Sequence, residues 1–228
     1  MKPIIKSENI IKKYRMGSQV VPVLKGIDLN IYPGETLCIL GTSGSGKTTF
    51  LNLAAGLERP TKGRIIIEGY NLNKISEKNM AAFRRKYIGF VFQLYNLLPA
   101  LTALENAVLP LIFEGVPSRE REKKGRELLK QMGLGNRLRH KPGELSGGQR
   151  QRVSIARALI NNPRIIFADE PTGNLDSKTT VEILKLLTDT VRENGQTMLL
   201  VTHDDKVAGY ADRIVHMVDG NIYNGNAN

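Results

Sequence analysis

Gly41-Thr42-Ser43-Gly44-Ser45-Gly46-Lys47-Thr48 decides how this chain is read. It follows an apolar run, Thr36-Leu37-Cys38-Ile39-Leu40, that suits a buried strand. It precedes Thr49-Phe50-Leu51-Asn52-Leu53-Ala54-Ala55, which suits a helix stopping near Gly56. Glycines there let successive backbone N–H groups point into one concavity that, with the helix N-terminus, holds phosphate oxygens. Lys47 adds a full charge at the β and γ phosphates of a nucleotide, and the Thr48 hydroxyl can ligate Mg2+. A glycine-rich turn that merely precedes a helix is the bland alternative, and the eight-residue match with correct flanks weighs against it.

Outward from this loop, the first third reads as short strands between turns: Ile4 to Asn9, Val21 to Ile31, Glu35 to Leu40 and, after Pro60-Thr61-Lys62-Gly63, Arg64 to Glu68. Residues 94–160 read as a helical lobe, with Glu120 to Met132 a solvated amphipathic helix ended by Gly133. The last third returns to strand and helix: Ile165-Ile166-Phe167-Ala168, a helix around Val181 to Leu187, and Met198-Leu199-Leu200-Val201. Strands that are apolar at every residue imply burial on both faces, hence a mainly parallel sheet covered by helices. The expected fold is α/β.

Bulk properties agree. A chain of 228 residues, 41% hydrophobic and 24% charged, can bury a core without disulfides and is neither disordered nor membrane-embedded. Its one cysteine, Cys38, lies in an apolar run and reads as a buried thiol. No apolar run approaches the length of a signal peptide's core or a spanning helix, so the chain is expected to be neither exported nor membrane-spanning. The net charge of +11 favours nucleic acid or an anionic leaflet, and a solvated basic surface explains it equally well.

Phosphoryl transfer to water also needs a second metal contact and a group that orients the nucleophile. Asp169 and Glu170 end an apolar strand, where ligands of open α/β sheets collect. Neighbours on an extended chain point different ways, so Asp169 suits the metal, through water, and Glu170 the attacking water. The alternative is that the pair caps a following helix. His203 follows the second apolar strand and could reach the γ-phosphate, although a lone histidine is more often structural. A second glycine pair, in Leu145-Ser146-Gly147-Gly148-Gln149, opens a helix expected over Gln151 to Ile160. It reads equally as an anion cradle or a helix start.

Taken together, the phosphate loop, Gln93 in Phe90-Val91-Phe92-Gln93, Leu145 to Gln149, Arg164 to Glu170, Asn174-Leu175-Asp176 and His203 resemble an ABC-type ATPase, in that family's order. The resemblance runs from Tyr14 to Gly220. Longer stretches, Phe90 to Pro99, Glu105-Asn106 and Ala168 to Ser177, resemble the branch of macrolide-export, lipoprotein-releasing, antimicrobial-peptide-resistance and cell-division ATPases. Thr42 departs from the family, where many members carry proline, and this should alter loop stiffness more than chemistry.

The resemblance implies one ATPase domain: a phosphate-loop core with an antiparallel β subdomain (1–93 and 161–228) and the inserted helical lobe (94–160). ATP and Mg2+ are the implied ligands. Gly41, Ser43, Gly44, Ser45, Gly46, Lys47, Thr48 and Thr49 would bind the nucleotide, Tyr14 would stack on adenine, and Thr48, Gln93 and Asp169 would hold the metal. Glu170, His203, Lys47 and Gln93 would carry catalysis. Two copies would close head to tail, with Ser146, Gly147, Gly148 and Gln149 of one completing the site of the other and Asp176 at the seam. The further implied partner is a membrane permease, met at the cytoplasmic face of the inner membrane. An ABC ATPase acting on nucleic acid is the alternative. It is disfavoured because the chain lacks both the long coiled-coil insertion of repair members and the second domain usual in translation members. A phosphate-loop kinase leaves Leu145 to Gln149 unexplained.

Overall fold

The computed structural model describes residues 1–224. In chain order its elements are β1 (Ile5–Met16), β2 (Gln19–Ile31), β3 (Thr36–Leu40), α1 (Lys47–Ala54), β4 (Lys62–Ile67), β5 (Tyr70–Asn71), α2 (Glu77–Tyr87) and β6 (Ile88–Val91). There follow α3 (Ala103–Phe113), α4 (Ser118–Gln131), α5 (Gly147–Leu159), β7 (Ile165–Asp169), α6 (Ser177–Glu193), β8 (Thr197–Thr202), α7 (Asp205–Ala208), β9 (Arg213–Val218) and β10 (Asn221–Asn224). They form two compact units, one of residues 1–84 with 195 onward, the other of residues 85–194.

In the first unit β1 pairs antiparallel with both β2 and β4, and β5 pairs antiparallel with β4. The hairpin is longer than its apolar pattern. Pairing continues through the charged residues Lys12, Lys13 and Arg15, with register shifts that absorb the irregular alternation, so β1 reaches Met16 instead of ending near Asn9. A separate set holds the expected parallel strands: β3 lies between β8 and β9, parallel to both, with β10 antiparallel on β9. Every residue of β3 and β8 is buried, which is why their sequences show no polar alternation. Cys38 sits in this core, and burial pushes its thiol up to about 12.

The second unit contains a strand with no expectation from periodicity, β6, paired parallel with β7. Its four residues are too few to display a period, and Gly89 weakens the strand pattern further. No side chain fits at Gly89, where a Cβ would fall 2.3 Å from the Ala158 carbonyl oxygen of α5. The α5 helix begins four residues before its expected start, because Ser146 caps it: Ser146 Oγ accepts from the Gln149 N–H and Gln149 Oε1 accepts from the Ser146 N–H. Likewise α6 runs well beyond Val181 to Leu187, from a cap at Asp176, whose side chain accepts from the N–H groups of Lys178 and Thr179. The reciprocal cap of Thr102 and Glu105 starts α3.

Asn106 of α3 is fully buried and stitches the loop before the helix. Its amide donates to the carbonyls of Leu98, Leu101 and Thr102, and its oxygen accepts from the Leu98 N–H. Replacing Asn106 by alanine strips these groups of their partner and is expected to cost about 3 kcal/mol, the scale for orphaned buried polar groups, as read by urea denaturation.

Candidate functional site

In the first unit the ends of paired strands set the site. Leu40 of β3 lies opposite Thr202 of β8, and the Gly41 N–H donates to the Thr202 carbonyl at 3.3 Å. The phosphate loop and His203 therefore leave the same edge of the parallel strands, and His203 is exposed there. Gly46, at φ 106°, enters the helix in a left-handed conformation that a side chain would strain. At Gly41 the obstacle is space, since a Cβ would fall 2.2 Å from the Met217 carbonyl oxygen of β9.

Within this loop Lys47 is only 5% exposed, and its ammonium donates to the carbonyls of Gly41 at 2.8 Å and Thr42 at 2.9 Å. The α1 helix starts without a side-chain cap. A helix start without a side-chain cap, the positive end of the helix dipole and a buried ammonium together favour an anion at this place. Ser45 Oγ, buried and without a hydrogen-bond partner, adds a further unspent polar group. Thr42, Ser43, Gly44 and Thr48 are exposed, so the rim is open.

Tyr14 belongs to the same unit, on β1. Its hydroxyl donates to Glu58 Oε2 at 2.7 Å, and Lys12 Nζ lies 4.8 Å from the ring centroid. Burial first, then the Glu58 carboxylate, raise its pKa above the usual phenol range, while a hydrogen bond with Thr49 acts the other way. The ring is thus held in place beside the start of α1.

The second unit gathers the remaining candidates. Asp169 ends β7, and Glu170 follows at φ 42°. Capping of the next helix falls to Asp176, and hydrogen bonding to Thr179 and neighbouring N–H groups lowers the Asp176 pKa. Gln93 and Glu170 converge over Gly173: a Cβ there would stand 2.8 Å from Gln93 Nε2 and 3.4 Å from Glu170 Oε2. The Asn174 amide donates to the Gln93 carbonyl at 3.1 Å.

Ser146, although it caps α5 by accepting, keeps its own hydroxyl hydrogen for a further acceptor. The glycines after it serve packing as well, since a Cβ at Gly148 would meet Thr179 Cγ2 of α6 at 2.6 Å. Helix start and close approach thus both operate at this pair. Gly173, Asn174 and Arg157 carried no assigned role in the sequence. The first two lie inside a quoted motif and could have been noticed there, whereas Arg157 looks like any arginine on a helix.

Comparison with known proteins adds the rest. The family described as "ABC transporter" matches residues 24–173. The chain is 50% identical to the lipoprotein-releasing system ATP-binding protein LolD of Bacteroides fragilis, over 96% of this chain and 100% of that one. It is 48% identical to the macrolide export ATP-binding/permease protein MacB of Wolinella succinogenes, over 97% of this chain but only 34% of that one, so it spans about a third of that relative's length. A solved structure described as a dimeric post-hydrolysis state of the ATP-binding cassette MJ0796, bound to ADP and Pi, superposes with a TM-score of 0.90 at 45% identity. It covers 98% of this chain and 100% of that one, and MJ0796 comes from Methanocaldococcus jannaschii.

Fold and phosphate loop together define an α/β nucleotide-binding cassette that binds and hydrolyses ATP. The chain belongs to the ABC transporter family. Relatives named for transport do not favour the nucleic-acid alternative. Among the described residues no helix is long and apolar enough to cross a membrane.

The convergence over Gly173 is directly testable. Gly173→Ala should push the Gln93 amide aside and, where Gln93 has the catalytic part expected of it, lower ATP turnover about tenfold to a hundredfold, the scale for an ångström's misplacement, with an unchanged thermal unfolding midpoint.

Proposed function

We propose that the chain is a single ATPase domain that drives a membrane permease from the cytoplasmic face of the cell membrane, working as an ATP-dependent head-to-tail homodimer. The observation that carries this reading is the 45% identity, across nearly the whole chain, to a cassette solved as a dimer with ADP and Pi. The names of the lipoprotein-releasing and macrolide-export relatives support the permease. Residues 94–160 would then be the helical lobe between the core segments 1–93 and 161–228.

In this reading Lys47 exchanges the carbonyls of Gly41 and Thr42 for the β and γ phosphates, and N–H groups from Ser43 to Thr49 close around them. Tyr14 stacks on adenine, its ring already fixed by Glu58. Ser146, with Gly147, Gly148 and Gln149, completes the site of the other copy, and Asp176 lies at the seam. Glu170 orients the attacking water and His203 holds the γ-phosphate.

Mg2+ fits the donor set. A hydroxyl, an amide oxygen and a carboxylate are oxygen donors of the kind that suits an ion that keeps waters and binds substrate phosphates. The Thr48 hydroxyl, the Gln93 amide oxygen and, through water, Asp169 would hold it. Its charge would neutralise the γ-phosphate oxygens during transfer.

Lys47→Ala should lower Mg2+-ATP turnover by about a hundredfold or more, by analogy with losing one preorganised charge-stabilising donor, and wild-type phosphate release would refute the site. Glu170→Gln should accumulate as a dimer at saturating Mg2+-ATP in size-exclusion chromatography with light scattering. A monomer under those conditions would overturn the shared-site reading.

A further inference from the structure

The chain directly after Gln93 is strained. Tyr95 and Asn96, both with side chains, stand consecutively in left-handed conformations at φ 61° and 49°. Such a pair persists only where surrounding groups hold it, and the holders are specific. The Arg157 guanidinium, two residues before the end of α5, donates through Nη2 to the Tyr95 carbonyl at 2.7 Å and through Nη1 to the Asn96 carbonyl. These two acceptors are neutral, and burial lowers the Arg157 pKa. An arginine spent on two loop carbonyls instead of a carboxylate is being used for its fork geometry.

Neighbouring carbonyls are held the same way. Gln151 of α5 donates to the Phe92 carbonyl at 3.5 Å, and Asn174 donates to that of Gln93 at 3.1 Å. The Arg150 guanidinium lies 5.3 Å from the centroid of the Tyr95 ring. Four carbonyls, at 92, 93, 95 and 96, therefore each accept from a side chain. Two of the three donors stand on the helix whose first turn carries Ser146.

We infer that Arg157 is a positioning residue for Gln93: its fork on Tyr95 and Asn96 sets the register of the segment, keeps the Gln93 amide over Gly173 beside Glu170, and makes that segment follow α5. This rests on the reading above in which Gln93 serves the γ-phosphate and its metal. It adds a physical link between the Ser146 end of α5, which meets the nucleotide of the other copy, and the Gln93 amide. The link consists of backbone carbonyls and one guanidinium, so a single ammonium cannot replace it.

The test uses the full chain in steady-state ATPase assays, with Arg157→Lys, Gln93→Ala, the double variant and Asn174→Ala. Arg157→Lys keeps the charge and loses the fork. It should lower kcat about tenfold, the scale for losing an orienting partner outside the reacting groups, with the KM for ATP unchanged. In the Gln93→Ala background the same substitution should have no further effect, since the group it positions is gone. Unchanged kcat, an effect on KM alone, or losses that multiply in the double variant would overturn the inference. Asn174 is exposed, so Asn174→Ala should fold even if Arg157→Lys does not, and it should lower kcat in the same sense. Wild-type kcat in Asn174→Ala would overturn the positioning frame on its own. Wild-type kcat in Gln93→Ala would instead remove the role of Gln93, and the inference with it.

Discussion

A buried ammonium must have acceptors, and Lys47 finds them in the backbone that leads up to it. Its side chain is nearly closed off from water, so the carbonyls of Gly41 and Thr42 must turn inward within hydrogen-bonding distance. A loop so curled requires the left-handed turn at Gly46 and the missing side chain at Gly41, where β9 passes too close for a Cβ. That approach in turn depends on β3 lying between β8 and β9, with its whole length buried. The parallel strands are in this sense the mount for one charged group.

Helix starts divide the molecule by function. The α3, α5, α6 and α7 helices each begin with a side chain accepting from the first turn, supplied by Thr102, Ser146, Asp176 and Asp204. By contrast α1 has none, and a buried lysine stands at its first residue. A start without a side-chain cap forgoes about 1 kcal/mol of stabilisation, which phosphate contacts at the helix N-terminus can supply when nucleotide binds. The start of α5 is intermediate, because Ser146 both caps the helix and retains a hydrogen to donate.

Much of this was legible beforehand. The phosphate loop declares itself through residue types at set spacing, because each glycine and the lysine answers a local demand that no other residue meets as well. Buried parallel strands declare themselves through unbroken apolar runs. The strand β6, the early start of α5 and the full length of α6 did not. A four-residue strand carries no period, a glycine pair reads as a loop until its cap is seen, and α6 is set by Asp176, more than one turn before the apolar pattern becomes clear.

The sequence by itself determined the chemistry available: an anion cradle, two adjacent carboxylates at a strand end and a second glycine-bearing helix start, all of which are local patterns. Only the tertiary structure decided which side chains serve each other. That Gln93 and Glu170 meet over Gly173, and that Arg157 grips carbonyls some sixty residues earlier, follows from the packing of α5, β6 and the loop after β7. No local pattern encodes such meetings. A carbonyl is the same in every residue, and an arginine that binds two of them carries no mark of it in its neighbours along the chain.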